Sequence, residues 1–175
     1  MKDLDALLAR IDSGLARGLI DQRAAAHYLG AHLSRRLYCS RVALWTLRES
    51  PGRADITRLG GHDALLDRPL ADVVTLRIDA PSAWLGELVG RGTCASSNVA
   101  ADRRLVMQRD AYLAPQRVVA LLQAAIGSDG RVCGFVSCEQ VDSAREWTSA
   151  EAALLRRVAD AVSQRRTRRL ALASA

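Results

Sequence analysis

A chain of 175 residues, 49% hydrophobic but only 4% aromatic, can bury roughly 70% of its unfolded surface in a single domain with an aliphatic core, which excludes a disordered or low-complexity protein. No signal-type N-terminus or long apolar span is present, and Cys39, Cys94, Cys133 and Cys138 show no close pair spacing, so the expected compartment is reducing and cytoplasmic, without a disulfide framework. The net charge of +6 is localised, because Arg156, Arg157, Arg165, Arg166, Arg168 and Arg169 crowd the C-terminal segment while the remainder is near neutral.

Leu4, Leu7, Leu8, Ile11 and Leu15 recur at helical spacing, with Gly14 and Gly18 weakening the end of that helix. A second helix, capped by Asp21, carries Ala25, Tyr28, Leu29, His32 and Leu33 on one stripe, with Arg23, Arg35 and Arg36 mostly off it. Val42, Leu44, Trp45 and Leu47 then predict a strand apolar on both sides, and Pro51-Gly52 turns the chain into a weaker strand around Ile56. From Val73 to Asp79 the alternation is cleaner, with Val74, Leu76 and Ile78 inward, as expected nearer a sheet edge.

Between Ala80 and Gln116 the pattern changes. Pro81 opens a short helix with Trp84, Leu85, Leu88 and Val89; Gly90 and Gly92 lead to the polar run Cys94 to Asn98; a short helical piece surrounds Leu105, Val106 and Met107. A crossover of this length in a compact domain covers or binds something. The strongest local signal follows from Val118 to Gln140, two apolar runs joined at Asp129-Gly130, the chemistry of a tight hairpin turn. Val118, Ala120, Leu122 and Ala124 fall on one side of the first run and Val119, Leu121, Gln123 and Ala125 on the other, so both faces must be covered. Thr148 and Glu151 stand at capping-box spacing, with Trp147 placed to staple onto Ala152, and Leu154, Leu155, Val158, Ala161 and Val162 give the last helix its buried stripe.

These elements assemble as an α+β domain: an antiparallel sheet of five or six strands, terminal helices on one face, and the crossover forming a pocket on the other. Its organisation reads as an N-terminal helix over residues 1–20 suited to dimerisation, a domain over 21–165, and a basic helix end over 166–175.

The phrases A-L-L-Q-A-A-I-G-S-D-G-R-V-C-G-F-V-S-C and R-E-W-T-S-A-E-A-A-L-L-R-R-V-A-D-A-V resemble a GAF domain, with Gly134, Trp147, Thr148 and Glu151 at the positions that recur in that family. The Cys138-Glu139 and Arg145-x-Trp147 variant resembles sensor modules found ahead of bacterial second-messenger cyclase domains, and the likeness runs from about Tyr28 to about Gln164. The resemblance implies a GAF/PAS-like fold and a non-catalytic sensory role: an unidentified small-molecule ligand between sheet and crossover, a homodimer through the terminal helices, and a downstream output domain or protein. The cofactor is left unassigned. The Asn-Lys-x-x-Phe-x-x-x-Asp-Glu pattern of cyclic-nucleotide GAF domains is absent, no Cys-His pair stands in the crossover to hold a bilin, and His27, His32 and His62, on helix and loop, give poor support for haem.

Within the pocket, Trp84 and Met107 are expected as apolar walls, with Asp102, Arg103, Arg104, Asp110 and Tyr112 offering polar contacts, against the plainer reading of a solvated loop. Leu122 and Glu139 join them from the hairpin, with Glu139 either reaching the pocket or, the plainer reading, capping the sheet edge in water. Cys94 is either a reactive thiol or a packed small residue. Cys133 and Cys138, an odd number apart, point to opposite faces unless a bulge intervenes, and both read as core. His32 reads as an interface histidine rather than a metal ligand.

Two other classes compete. Free methionine sulfoxide reductases share the GAF fold and use thiol chemistry, but their pattern places two cysteines in the crossover, where only Cys94 stands. A nucleic-acid binder using the Arg-rich last helix is disfavoured by the lack of interleaved aromatics. No membrane partner is expected.

Overall fold

The computed structural model describes residues 2–70, 72–79, 82–128 and 131–173. Helices α1 (Lys2–Ala16) and α2 (Gln22–Leu37) open the chain. Asp21 caps α2 by accepting from the Ala24 N–H at 2.7 Å, and Tyr38 ends it in the left-handed region at φ 50°. Strands β1 (Arg41–Ser50), β2 (Arg53–Asp63), β3 (Arg68–Pro69) and β4 (Thr75–Asp79) follow, then α3 (Ala83–Arg91) and β5 (Thr93–Ser96). An irregular helical stretch, Arg103–Leu113, has one α-helical turn, α4 (Val106–Gln108), between a 3₁₀ and a π segment. Strands β6 (Val118–Ser128) and β7 (Arg131–Val141) lead to α5 (Ser149–Ala173). Among the described residues no helix is long and apolar enough to cross a membrane.

The sheet is antiparallel in the order β3-β2-β1-β7-β6-β5, with β4 also on β2, so the hairpin β6–β7 is central as its two-sided apolar pattern requires. It has seven strands rather than five or six, because β3 and β5, of two and four residues, are too short to carry a periodic signal. The Asp129-Gly130 turn and Pro81 lie outside the described residues; the paired Ser128 and Arg131 flank that turn.

Three local departures from simple alternation matter. The weak strand around Ile56 is eleven residues long, since Gly60 and Gly61 hide its C-terminal half. A Cβ on Gly61 would stand 2.1 Å from the Val42 carbonyl oxygen, and one on Gly30 of α2 would stand 3.0 Å from the His62 nitrogen, so the glycines let α2, β2 and β1 approach closely. His62 is therefore a buried strand residue, not a loop one. Register shifts at Val119 and Cys133 are bulges: the first turns Val118 toward the crossover face, and the second puts Cys133 and Cys138 on the same face. Val73, expected in a strand, is exposed ahead of β4.

Two cores result. On the helix side, Leu4, Leu8 and Ile11 of α1 pack with Leu29 and Leu33 of α2, Leu122 and Ala124 of β6, Val136 and Cys138 of β7, and Leu155 and Val158 of α5. The apolar stripe of α1 is thus covered within its own chain. On the crossover side, Trp45, Ile56, Leu76, Trp84, Leu88, Leu105, Leu113, Leu121 and Phe135 form the second core.

The R-E-W-T-S-A-E phrase fixes how α5 begins. The Glu151 carboxylate accepts from the Thr148 N–H at 2.8 Å while Thr148 Oγ1 accepts from the Glu151 N–H at 3.2 Å, a reciprocal cap. Arg145 lies over the Trp147 ring at 4.2 Å, pairs with Glu151, and donates to the Leu37 and Tyr38 carbonyls at 2.5 and 2.7 Å. One guanidinium thus satisfies the open C-terminus of α2 and holds the N-terminus of α5 beside it.

Candidate functional site

Alternation along β6 and β7 sends Leu121, Gln123 and Ala125, with Phe135, Ser137 and Glu139, to the crossover face. Gln123 pairs directly with Ser137 across the hairpin, and β1 adds Trp45 opposite Phe135. The irregular stretch Arg103–Leu113 supplies Tyr112 and Gln108 from above, α3 supplies Trp84, and β2 supplies Arg58. Although the chain is poor in aromatics, four gather here: Trp45 is stacked on Phe135 at 5.8 Å, while Tyr112 meets Trp45 and Trp84 meets Phe135 edge-on at 5.1 and 5.3 Å.

A chain of polar groups runs through these rings. Trp84 Nε1 donates to Gln123 Oε1 at 2.6 Å, Gln123 Nε2 to Ser137 Oγ at 3.4 Å, and Ser137 Oγ to Glu139 Oε1 at 3.2 Å. From the other side, Arg58 Nη1 donates to the Tyr112 hydroxyl at 3.3 Å, which donates to Glu139 Oε2 at 3.2 Å. Arg58 is held by the Asp72 carbonyl through Nε and Nη2 at 3.2 and 2.8 Å. Every donor in the chain points toward Glu139.

Glu139 is 1% exposed. Burial raises its carboxyl to about pH 7, against the opposing pull of Arg41, the hydrogen bonds from Tyr112 and Ser137, and Arg58. Burial, reinforced by the Glu139 charge, likewise raises the Tyr112 hydroxyl, with Arg58 opposing. The carboxyl is therefore poised to exchange its proton near neutrality inside a closed site. Trp45 Nε1 is buried there with no partner among the described residues. The remaining cavity, lined by Trp45, Gln108, Tyr112, Gln123, Phe135 and Glu139 among others, is about 10 Å³. That is about one water, whereas pockets for drug-sized ligands run to roughly 300–1,000 Å³.

Of the residues singled out from the sequence, Trp84, Tyr112 and Glu139 come together in this site. Glu139 does not cap the sheet edge. Leu122 faces the helices instead, because it is one residue out of step with Leu121 and Gln123. Met107 and Arg103 are exposed on the outer side of the irregular stretch. Asp102 caps that stretch by accepting from the Arg104 N–H at 3.0 Å, and the Arg104 side chain, bonded to Asp102, holds its carboxyl below the usual range. Arg104 also pairs with Glu87 of α3 and donates to the Ala95 carbonyl at 2.8 Å. Asp102 thus fastens the crossover to β5 rather than reaching the cavity. Cys94 is 1% exposed, and burial pushes its thiol up to about 12, with Arg104 opposing only partly, which leaves almost no thiolate at neutral pH.

The sequence reading missed Arg58, Ser137, Gln108 and the Trp45 indole. Ser137 and Glu139 share strand parity, a usable signal, but pairing Gln123 with Ser137 needs the Cys133 bulge, which no residue pattern announces. Arg58 carries no local signal, since an arginine in a strand is ordinarily directed to solvent.

The GAF domain family matches residues 23–165. No curated protein matches the chain. Among solved structures, the blue-light-absorbing PixJ GAF domain of Thermosynechococcus elongatus is similar at TM-score 0.64 and 18% identity, covering 88% of this chain and 92% of that one. The GAF domain of an Acinetobacter phosphoenolpyruvate-protein phosphotransferase is similar at 0.63 and 12% identity, covering 96% and 92%. The phycocyanobilin-bound GAF domain of a cyanobacterial phytochrome is similar at 0.63 and 16% identity, covering 94% and 96%. At these identities the likeness is one of fold.

Proposed function

This chain belongs to the GAF domain family, and we propose that it is a cytoplasmic, non-catalytic sensory module whose small-molecule ligand binds at the Glu139 network on the crossover face of the sheet. The observation that carries this reading is the convergence of buried donors on Glu139 beside the Trp45 indole, which has no partner among the described residues. An apolar filling of the same volume would stabilise the domain at least as well, so a buried carboxyl with a displaced pKa in a family's ligand-facing layer supports a binding role. Ligand entry requires the stretch Arg103–Leu113 to move off the sheet, and its π-helical turn, a strained geometry that concentrates at functional sites, is the natural place to yield. The related phytochrome domain holds phycocyanobilin; a cavity of about 10 Å³ and the buried Cys94 favour a much smaller ligand here.

Signal leaves through helices. Ligand that favours one position of the crossover shifts the sheet against α5, and its differential affinity for the two arrangements is the transmitted free energy. The homodimer through the terminal helices belongs to this proposal, and since the apolar stripes of α1 and α5 are both packed within the chain, it would use the faces those helices leave outward. Light scattering at micromolar concentration giving only monomer would remove it.

Native mass spectrometry of freshly purified wild type and Glu139→Gln tests the main reading. A small mass that co-purifies with wild type and is lost from the variant is the expected result. A mass retained equally by both proteins, or an empty wild type that no member of a metabolite library stabilises, contradicts it.

A further inference from the structure

On the opposite face of the sheet, where α1, α2 and α5 meet, the helices leave a cavity of about 80 Å³, much larger than the about 10 Å³ beside Glu139. Its floor is apolar, made by Leu4, Leu33, Leu154 and Val158. Its rim is basic: His32 and Arg36 from α2 and Arg157 from α5, with Asp3 of α1 the lone acid. Among the described residues neither Arg36 nor Arg157 has a carboxylate partner, whereas the neighbouring Arg156 and Arg165 pair with Asp160 and Asp12 at 3.0 and 2.8 Å.

Two guanidinium groups from different helices, lining one concavity with only Asp3 as a counter-charge among the described residues, retain a net positive field and gain from an anion between them. Each offers a planar fork of N–H donors that matches an oxyanion. The low-dielectric floor focuses their field into the cleft. We propose that this cleft binds a compact tetrahedral oxyanion, a phosphate or sulfate group, free or borne by a small organic molecule, gripped between Arg36 and Arg157. The volume suits such a group better than a single water, and the apolar floor suits a short organic substituent.

The anion would tie α2 to α5, adding to the Arg165–Asp12 pair that ties α5 to α1 further along, so occupancy sets how firmly the exit helix is held. The site is distinct from the Glu139 network and does not depend on it.

His32 supplies a second readout. Burial, followed by the charges of Arg36 and Arg35 on its own helix, lowers its pKa, against a weaker pull from Asp3 of α1; Arg157 of α5 completes the charged groups lining the cleft. A bound anion raises that pKa, so binding takes up a proton and tightens as pH falls through the His32 range.

The experiment is calorimetric titration of the full chain with sulfate, inorganic phosphate and phenyl phosphate, at ionic strength held constant with chloride. The expected result is saturable binding at one site, weakened about tenfold or more by Arg36→Gln and by Arg157→Gln and unchanged by Glu139→Gln. The His32 ring proton resonances should move with sulfate and saturate at the same concentration. Tighter phenyl phosphate than inorganic phosphate identifies an organic ester as the natural occupant; the reverse identifies the free ion. Both exposed arginines can be changed without disturbing the core, and unaltered melting of the unliganded variants verifies it. Binding that both Gln variants retain, or a response that chloride reproduces, means an adventitious ion only and overturns the proposal. Sulfate affinity that falls as the pH is lowered overturns the His32 linkage.

Discussion

On the helix side of β7, Val136 and Cys138 bury against an aliphatic core that includes Leu155 and Val158; on the crossover side of the same strand, Ser137 and Glu139 bury polar groups that must satisfy one another. The strands are shared and the burial is equally complete, yet only the polar network on the second face carries a pH-dependent cost. Apolar area removed from water stabilises the first face at every pH. The second face carries a cost that grows as Glu139 ionises: a carboxyl moved from 4.5 to about 7 corresponds to about 3 kcal/mol. A single sheet thus separates an aliphatic face from one whose apolar core encloses a buried ionisable network.

The comparison breaks most severely on the stable side. Leu155→Ala empties a fully buried site and should cost about 4 kcal/mol, equally at pH 5 and pH 8, in denaturant titrations. A cost that varied strongly between those pH values would mean the two faces are not independent.

Glu139→Gln sharpens the contrast on the other side. The folded-state pKa lies above the unfolded one, so the folded protein binds the extra proton between them. The stability this contributes is fully present below about pH 4.5 and lost as pH rises through about 7. Relative to the variant, wild type should lose about 3 kcal/mol between pH 4.5 and pH 8. Parallel stability curves for the two proteins would show that Glu139 is not the costly group.

Arg145→Ala probes the joint through which one face would be felt at the other. Removing two carbonyl hydrogen bonds, the stacking on Trp147 and the Glu151 pair should cost about 2 kcal/mol, and Thr148→Ala, which loses only the reciprocal cap, about 1 kcal/mol. The reverse order in thermal melts would assign the junction to the cap. The smallest effect is chemical: with a thiol-reactive disulfide reagent at pH 8, half-buried Cys133 should react first, and Cys39, Cys94 and Cys138 only as the protein unfolds. Rapid labelling of Cys94 would restore the thiol-enzyme reading that its burial argues against.

Much of this architecture was legible because long elements repeat their signal. The α2 cap at Asp21, the alternation of Leu76 and Ile78, and the Thr148–Glu151 box each show locally what the chain then does. Legibility failed where one residue resets the count. The bulges at Val119 and Cys133 reverse the parity upstream or downstream of them, and glycines disguise the end of β2 because they serve the close approach of α2 rather than strand propensity. In the candidate site, Trp84, Tyr112 and Glu139 were visible as unusual types at plausible places. Leu122 was misplaced by one position in the alternation, and Asp102 looked available because its partner Arg104 could not be known. Arg58 is the instructive omission, since a strand arginine is normally outward, and only the fold of the crossover over β2 and β4 closes the roof above it.

The most direct test of the account is a carbon-13 nuclear magnetic resonance titration of the glutamate side-chain carboxyls, with Glu139 assigned by its absence from the Glu139→Gln spectrum. A midpoint near pH 7 for Glu139, with Tyr112→Phe moving it further upward as one donor is lost, is the predicted result. A midpoint near 4.5 would mean that the carboxyl is solvated, and that the closed polar site on the crossover face is not there.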